Sequence, residues 1–115
     1  MGETANAWLT RPAFLILLAV SDRPRHGLGI VEEVEERTDG TVKLGPGTLY
    51  GTLKRLAREG LIAEASQAPD PSDDDPRRRY YRLTAGGREA LRQETADLRR
   101  LLDVAVGKHV LESGA

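Results

Sequence analysis

The sequence predicts a mainly α-helical fold with a small β-hairpin and one long final helix, and three observations predict it. Three apolar-periodic segments are separated by tight Pro and Gly turns, two strand-like runs bracket a proline-rich loop, and a helical stretch with spaced leucines closes the chain. The 115 residues allow one domain, or a small domain plus an extension. With no cysteine, the chain has no disulfide, thiolate zinc site or cysteine nucleophile, which fits a reducing, cytoplasmic setting. Its longest apolar run, Ala13 to Val20, is far short of the ~20 residues a membrane helix needs, and its flanks do not resemble a signal peptide.

Thr10 is the predicted N-cap of the first helix, with Pro12 in the first turn, where a missing N–H leaves no bond unmade. The run from Ala13 to Val20 is apolar almost all round, which predicts a buried helix. Residues 21–27 read as a turn broken by Pro24 and Gly27. A second helix is expected from about Leu28 to Thr38, apolar through Leu28, Ile30, Val31 and Val34, with Glu32, Glu33, Glu35 and Glu36 on its polar side and Gly40 at its end. Pro46 then opens a third helix carrying a stripe of Leu49, Leu53 and Leu56, and Gly60 ends it. Residues 61–66 and 77–83 read as an antiparallel pair around a loop with Pro69, Pro71 and Pro76. Alternation along the second strand puts Arg79, Tyr81 and Leu83 on one face, inward, and leaves Arg78, Tyr80 and Arg82 outside. Thr84 should cap a last helix of about 25 residues, weakened at its start by Gly86 and Gly87. The order of helix, helix, helix, hairpin and long helix is that of a winged helix-turn-helix. It divides into a domain over residues 1–84 and a C-terminal helix over 85–115.

The net charge of -1 conceals a strong pattern. Residues 41–62 carry net +3 and residues 77–92 net +5, while residues 63–76 between them carry -5. Local fields of this kind govern a polyanion footprint more than the total does. At 100° per residue, the side of the third helix opposite its leucines presents Gly47, Gly51, Lys54, Arg55 and Arg58, with Thr48 nearby. A helix entering the major groove of DNA needs small residues for close approach and cations for phosphates and guanine edges. Gly51 carries weight here, because a mid-helix glycine costs roughly 1 kcal/mol against alanine and an ordinary solvated face has no use for it. Arg77, Arg78, Arg79 and Arg82 form a second basic element, which read blandly is a charged strand edge. The acids Asp73, Asp74 and Asp75 read as a solvated loop tip rather than a metal cluster.

The run from Leu44 to Ile62 (LGPGTLYGTLKRLAREGLI), with RRYYRLT at Arg78–Thr84 and GGREAL at Gly86–Leu91, resembles the PadR family of bacterial transcriptional regulators. The run HGLGI from His26 is similar to that family's Tyr-Gly-Tyr-Gly turn, with His26 and Leu28 standing where the family has aromatics. The resemblance spans residues 12–105. It implies a homodimer joined through the C-terminal helix, repressing promoters at near-palindromic operators and often released by a small molecule. It also implies that Thr48, Tyr50 and Lys54 meet double-stranded DNA and that Arg78 and Arg79 form the basic wing. The long acidic wing tip departs from the short, polar or basic tips common in the family.

Leu91, Leu98, Leu101 and Leu102 are expected to line the dimer interface, in a partly heptad pattern that Ala105 continues. Trp8 and Phe14 are candidates for an apolar effector pocket between the first and last helices, which the resemblance implies. The preferred alternative makes Trp8 a staple on the partner's last helix. His26 and His109 are read as structural. No nucleophile elbow, metal-ligand spacing or phosphate loop is present, so neither an enzyme nor a cofactor is expected. Two rivals to a DNA-binding regulator stay open: a winged helix used as a protein-interaction module, and a small-molecule sensor without operator binding.

Overall fold

A computed structural model of the chain describes residues 9–65 and 78–112. The predicted Trp8, Asp73, Asp74, Asp75 and Arg77 lie outside these residues. Four helices and three short strands follow in the order α1 (Arg11–Ala19), β1 (Arg25–His26), α2 (Gly27–Arg37), α3 (Pro46–Arg58), β2 (Ile62–Glu64), β3 (Tyr80–Leu83) and α4 (Ala85–Gly107). The local signals explain most boundaries. The Thr10 hydroxyl accepts a hydrogen bond from the Ala13 amide at 3.3 Å, which caps α1 as predicted. Beyond α2, Gly40 takes a φ of +77° and donates its amide to the Glu35 carbonyl at 2.8 Å. Gly60 has a φ of +78°, and the Leu61 amide then reaches back to the Leu56 carbonyl at 2.9 Å. Both are left-handed helix ends that glycine adopts without strain.

Ala13, Ile16, Leu17, Ile30, Val34, Leu49, Leu53, Leu56 and Ile62 are buried together between α1, α2, α3 and the sheet. One feature of α1 differs from expectation. Leu18 is exposed, and Phe14 and Leu15 are only partly buried, so the helix carries more apolar surface than this single chain covers.

The sheet also differs from the predicted hairpin. It has three strands in the order β1-β3-β2, because Arg25 and His26 pair antiparallel with Tyr81 and Tyr80. Two residues carry no readable alternation; the free edge of β3 makes this strand by pairing with it. The same pairing corrects the expectation for Tyr80. Its ring is only 8% exposed, edge-on to the His26 ring at 5.2 Å, whereas Tyr81 and Leu83 pack against the core as predicted.

Helix α4 begins at a tight junction with the end of α3. The Thr84 hydroxyl accepts from the Gly87 amide at 2.9 Å and donates to the Gly60 carbonyl at 2.6 Å. A Cβ on Gly87 would lie 2.0 Å from the Leu61 carbonyl oxygen, so this glycine is what lets α4 seat on the backbone after α3. Its neighbour Gly86 has no such constraint, since a Cβ there would meet the Gly60 oxygen at an ordinary 3.6 Å. Gly87→Ala is therefore expected to cost at least roughly 1–3 kcal/mol through overpacking, and Gly86→Ala to be neutral or mildly stabilising. Thermal melts of the two variants should differ by about 5 °C or more, and equal melting points would contradict the close approach. Past Leu91, which joins the core, α4 stays beside the start of α1 as far as Glu94, whose carboxylate accepts from the Leu9 amide at 3.4 Å, and beyond it exposes Leu98, Leu101, Leu102 and Val104.

Candidate nucleic-acid interface

The leucine stripe orients α3. Leu49, Leu53 and Leu56 are buried, at most 3% exposed, which turns Gly47, Thr48, Gly51, Lys54 and Arg58 outward, all exposed. Nothing would stand within 4 Å of a Cβ at Gly47 or Gly51, so this side is a low surface flanked by two cations. Arg55 is placed differently. It is half-buried, with its Nε 3.7 Å from a Glu59 carboxylate oxygen and enclosed without a hydrogen-bond partner, so its guanidinium lies along the helix. Lys54 and Arg58, one turn apart, are the cations of the outward stripe.

Tyr50 stands beside this stripe, one residue and so about 100° around the helix from Gly51. A Cβ on Gly27 would come within 2.8 Å of the Tyr50 hydroxyl, so the first residue of α2 is what gives that ring room. Tyr50, the first turn of α2 and β3 enclose an open cleft of about 350 Å³, lined by His26, Gly27 and Leu28 on one side and by Arg78, Arg79 and Tyr81 on the other. Arg79 pairs with Glu64 at 2.8 Å, and both side chains are more than half exposed. Such a surface pair contributes at most about 1 kcal/mol and can be given up to a phosphate.

His26 was legible only as part of a turn. It caps α2, its Nδ1 accepting from the Gly29 amide at 3.1 Å, while its Nε2 faces Nη1 of Arg78 at 3.3 Å. The cap is the stronger of the two demands, at about 1 kcal/mol against 0–1 for a contact to an exposed cation. The missed signal was the capping role itself, which histidine seldom fills.

Burial in the cleft wall pushes the Tyr81 phenol above its ordinary pKa of 10.0; the nearby Glu64 carboxylate raises it further and Arg79 opposes. Tyr81 thus remains a neutral hydroxyl at physiological pH. Because the folded state holds this proton harder than the unfolded chain, the stabilisation is fully present below about 10 and is lost as pH rises through the higher folded value. Alkaline titration by tyrosinate absorbance should show a late-ionising component among the three tyrosines, absent in Tyr81→Phe.

At the other end of the molecule, Phe14 lines a groove of about 370 Å³ with Leu9, Leu15, Val42, Glu94 and Leu98, between α1, the segment after α2, and α4. Leu91 sits apart from this surface, at 7% exposure in the chain's own core. Among the described residues no group of acids and histidines could hold a metal ion, and no helix is long and apolar enough to cross a membrane.

A three-helix domain with an outward basic third helix, a small sheet with an arginine-bearing strand and a long trailing helix is a winged helix-turn-helix of the kind that regulators use. Residues 16–93 match the transcriptional regulator PadR-like family, and the chain belongs to that family. It is 33% identical over 92 residues to the transcriptional regulator Rv3488 of Mycobacterium tuberculosis, covering 80% of this chain and 79% of that protein. It is also 39% identical over 87 residues, 76% of this chain, to an uncharacterised 37.1 kDa protein of transposon Tn4556 from Streptomyces fradiae, of which it spans only 23%. Among solved structures it is similar to a PadR family transcription regulator from Clostridium difficile R20291, with a TM-score of 0.71, 26% identity, and coverage of 89% of this chain and all of that one. A transcriptional regulator from Clostridium thermocellum shares the fold, with a TM-score of 0.68 at 24% identity over 87% of this chain and 90% of that one. The PadR-like family and these two structural neighbours are transcriptional regulators, not enzymes.

Proposed function

We propose that the chain is a sequence-specific DNA-binding repressor that works in the cytoplasm as a homodimer on a near-palindromic operator. The observation that carries this reading is the outward stripe of α3, where Gly47, Thr48, Gly51, Lys54 and Arg58 lie opposite three buried leucines. In that reading α3 enters the major groove, Tyr50 and Lys54 reach base edges or phosphates, and Arg78 and Arg79 hold the flanking backbone. Arg55, half-buried beside Glu59, contributes less than Lys54 and Arg58.

Residues 85–115 serve as the dimerisation segment, with Leu98, Leu101 and Leu102 meeting the partner while Leu91 anchors the helix to its own domain. The partly uncovered Phe14 and Leu15 and the exposed Leu18 support the same assembly. Two recognition helices related by a two-fold read half-sites about one turn, ~34 Å, apart or a multiple of it. The groove beside Phe14 is sized for a small, flat apolar effector whose binding shifts the two helices. Mobility shift against fragments of the encoding genome tests the reading. A specific shift whose affinity falls steeply with salt is expected. No specific shift at low salt would favour a protein-interaction module instead.

A further inference from the structure

We infer that Leu28 is a specificity-determining residue that reads the C5-methyl group of a thymine at the edge of the major groove. The inference rests on the DNA-binding reading above and adds a side chain that this reading leaves unused. The sequence places Leu28 with Ile30, Val31 and Val34 among the apolar residues of α2, yet it is 55% exposed. Helix geometry explains the difference. Two residues amount to about 200° of rotation, so Leu28 lies across α2 from Ile30, which is buried with Val34.

A lone exposed leucine needs no explanation, but this one has a neighbour. Tyr50, 56% exposed, lines the same cleft, so two large apolar side chains open onto one place. The Tyr50 ring is held there. Its hydroxyl lies 2.8 Å, and its Cζ 3.4 Å, from where a Cβ on Gly27 would stand, so the ring rests on the backbone beside Leu28. Position then says what covers the pair. Lys54 follows Tyr50 by one turn on α3, so the cleft borders the stripe that faces the duplex. The exposed leucines of α4 and the groove at Phe14 belong to other surfaces, and none of their residues lines this cleft, so a second copy docked there leaves Leu28 open. Of the groups that base pairs present in a major groove, the thymine methyl is the apolar one. The others are hydrogen-bond donors and acceptors that a leucine cannot satisfy.

The test removes the methyl group and the side chain separately. The probe is a duplex selected from a random pool by the wild-type protein, with its thymines replaced one at a time by uracil, which lacks only the C5-methyl. At one position or more, uracil should weaken wild-type binding about fourfold, the factor that corresponds to burying one methyl group. Leu28→Ala should bind the thymine duplex more weakly by at least that factor. Uracil at the same position should cost it nothing further, because both changes remove one contact. Leu28→Met, unbranched but still apolar, should keep the discrimination. Both variants should melt within a few degrees of the wild type, since the side chain lies outside the core.

Uracil that costs the wild type nothing at any position, or that costs Leu28→Ala just as much, overturns the methyl contact. If Lys54→Ala/Arg58→Ala loses the duplex in the same experiment, the DNA reading survives that result. A Leu28→Ala that loses affinity without losing discrimination assigns the contact to a deoxyribose, the same at every base pair, and overturns the specificity role. A pool from which the wild type selects no duplex overturns the DNA reading, and this inference with it.

Discussion

Replacing Lys54 and Arg58 together by alanine should abolish specific DNA binding while leaving the fold and the assembly intact. These are the two cations of the outward stripe of α3, exposed and one turn apart, and each can meet a phosphate or a guanine edge. Contacts of this kind contribute roughly 1–3 kcal/mol each, so losing both weakens specific binding by about a hundredfold or more. The salt dependence should also flatten, by a slope of about two where both residues meet phosphates. Neither side chain touches the core formed by Leu49, Leu53 and Leu56, so stability should change only by the tenths of a kcal/mol that a cation near a helix C-terminus contributes. Arg55→Ala gives a useful contrast, because its guanidinium lies toward Glu59 rather than out from the stripe. Its effect on DNA should be smaller than that of either outward cation, as a binding isotherm on the same duplex would show.

Leu98→Asp is expected to break the dimer. Leu98, Leu101, Leu102 and Ala105 follow at helical spacing on the part of α4 that runs past the domain, and the three leucines are 42–48% exposed in the single chain. Covered by a partner, a carboxylate at Leu98 would be a buried charge with no counter-ion, a penalty of several kcal/mol. Sedimentation should therefore report a folded monomer. Leu91→Asp should behave differently, since Leu91 is already in the core with α1 and α3, and its loss should unfold the domain rather than separate two domains. A stable Leu98→Asp dimer would locate the interface elsewhere.

The contrast between Leu91 and Leu98 also shows what could be read from the sequence. Both sit on the same heptad line, and the pattern alone cannot say where α4 leaves its own domain. That depends on the seating of Gly87 against Leu61, a contact between segments distant in sequence order from the helix face it controls. By contrast, the features of α3 were legible except for Arg55, which turns toward Glu59. Pro46 at its start, Gly60 at its end, the leucine stripe and the opposed glycines and cations are all local, and the structure follows them. Thr10 and Thr84 cap their helices for the same reason.

Features made by tertiary pairing were not legible. Strand β1 exists only because β3 offers an edge, and Tyr80 is buried only because β1 covers it. Gly87 read as a weakness in helix propensity, whereas its missing side chain is what the junction requires. The cleft at His26 escaped notice because its walls come from α2, α3 and β3, and no single stretch of sequence contains them.

The central claim is that the α3 surface bearing Gly51, Lys54 and Arg58 is the one that meets a duplex. Amide resonance mapping of the labelled protein, saturated with a duplex selected from a random pool, tests it most directly. The account predicts the largest shifts along the outward side of α3 and at Arg78 and Arg79, with the acidic side of α2 at Glu32 and Glu36 unmoved. Shifts concentrated on α2 or on the exposed end of α4, with α3 unchanged, would contradict it.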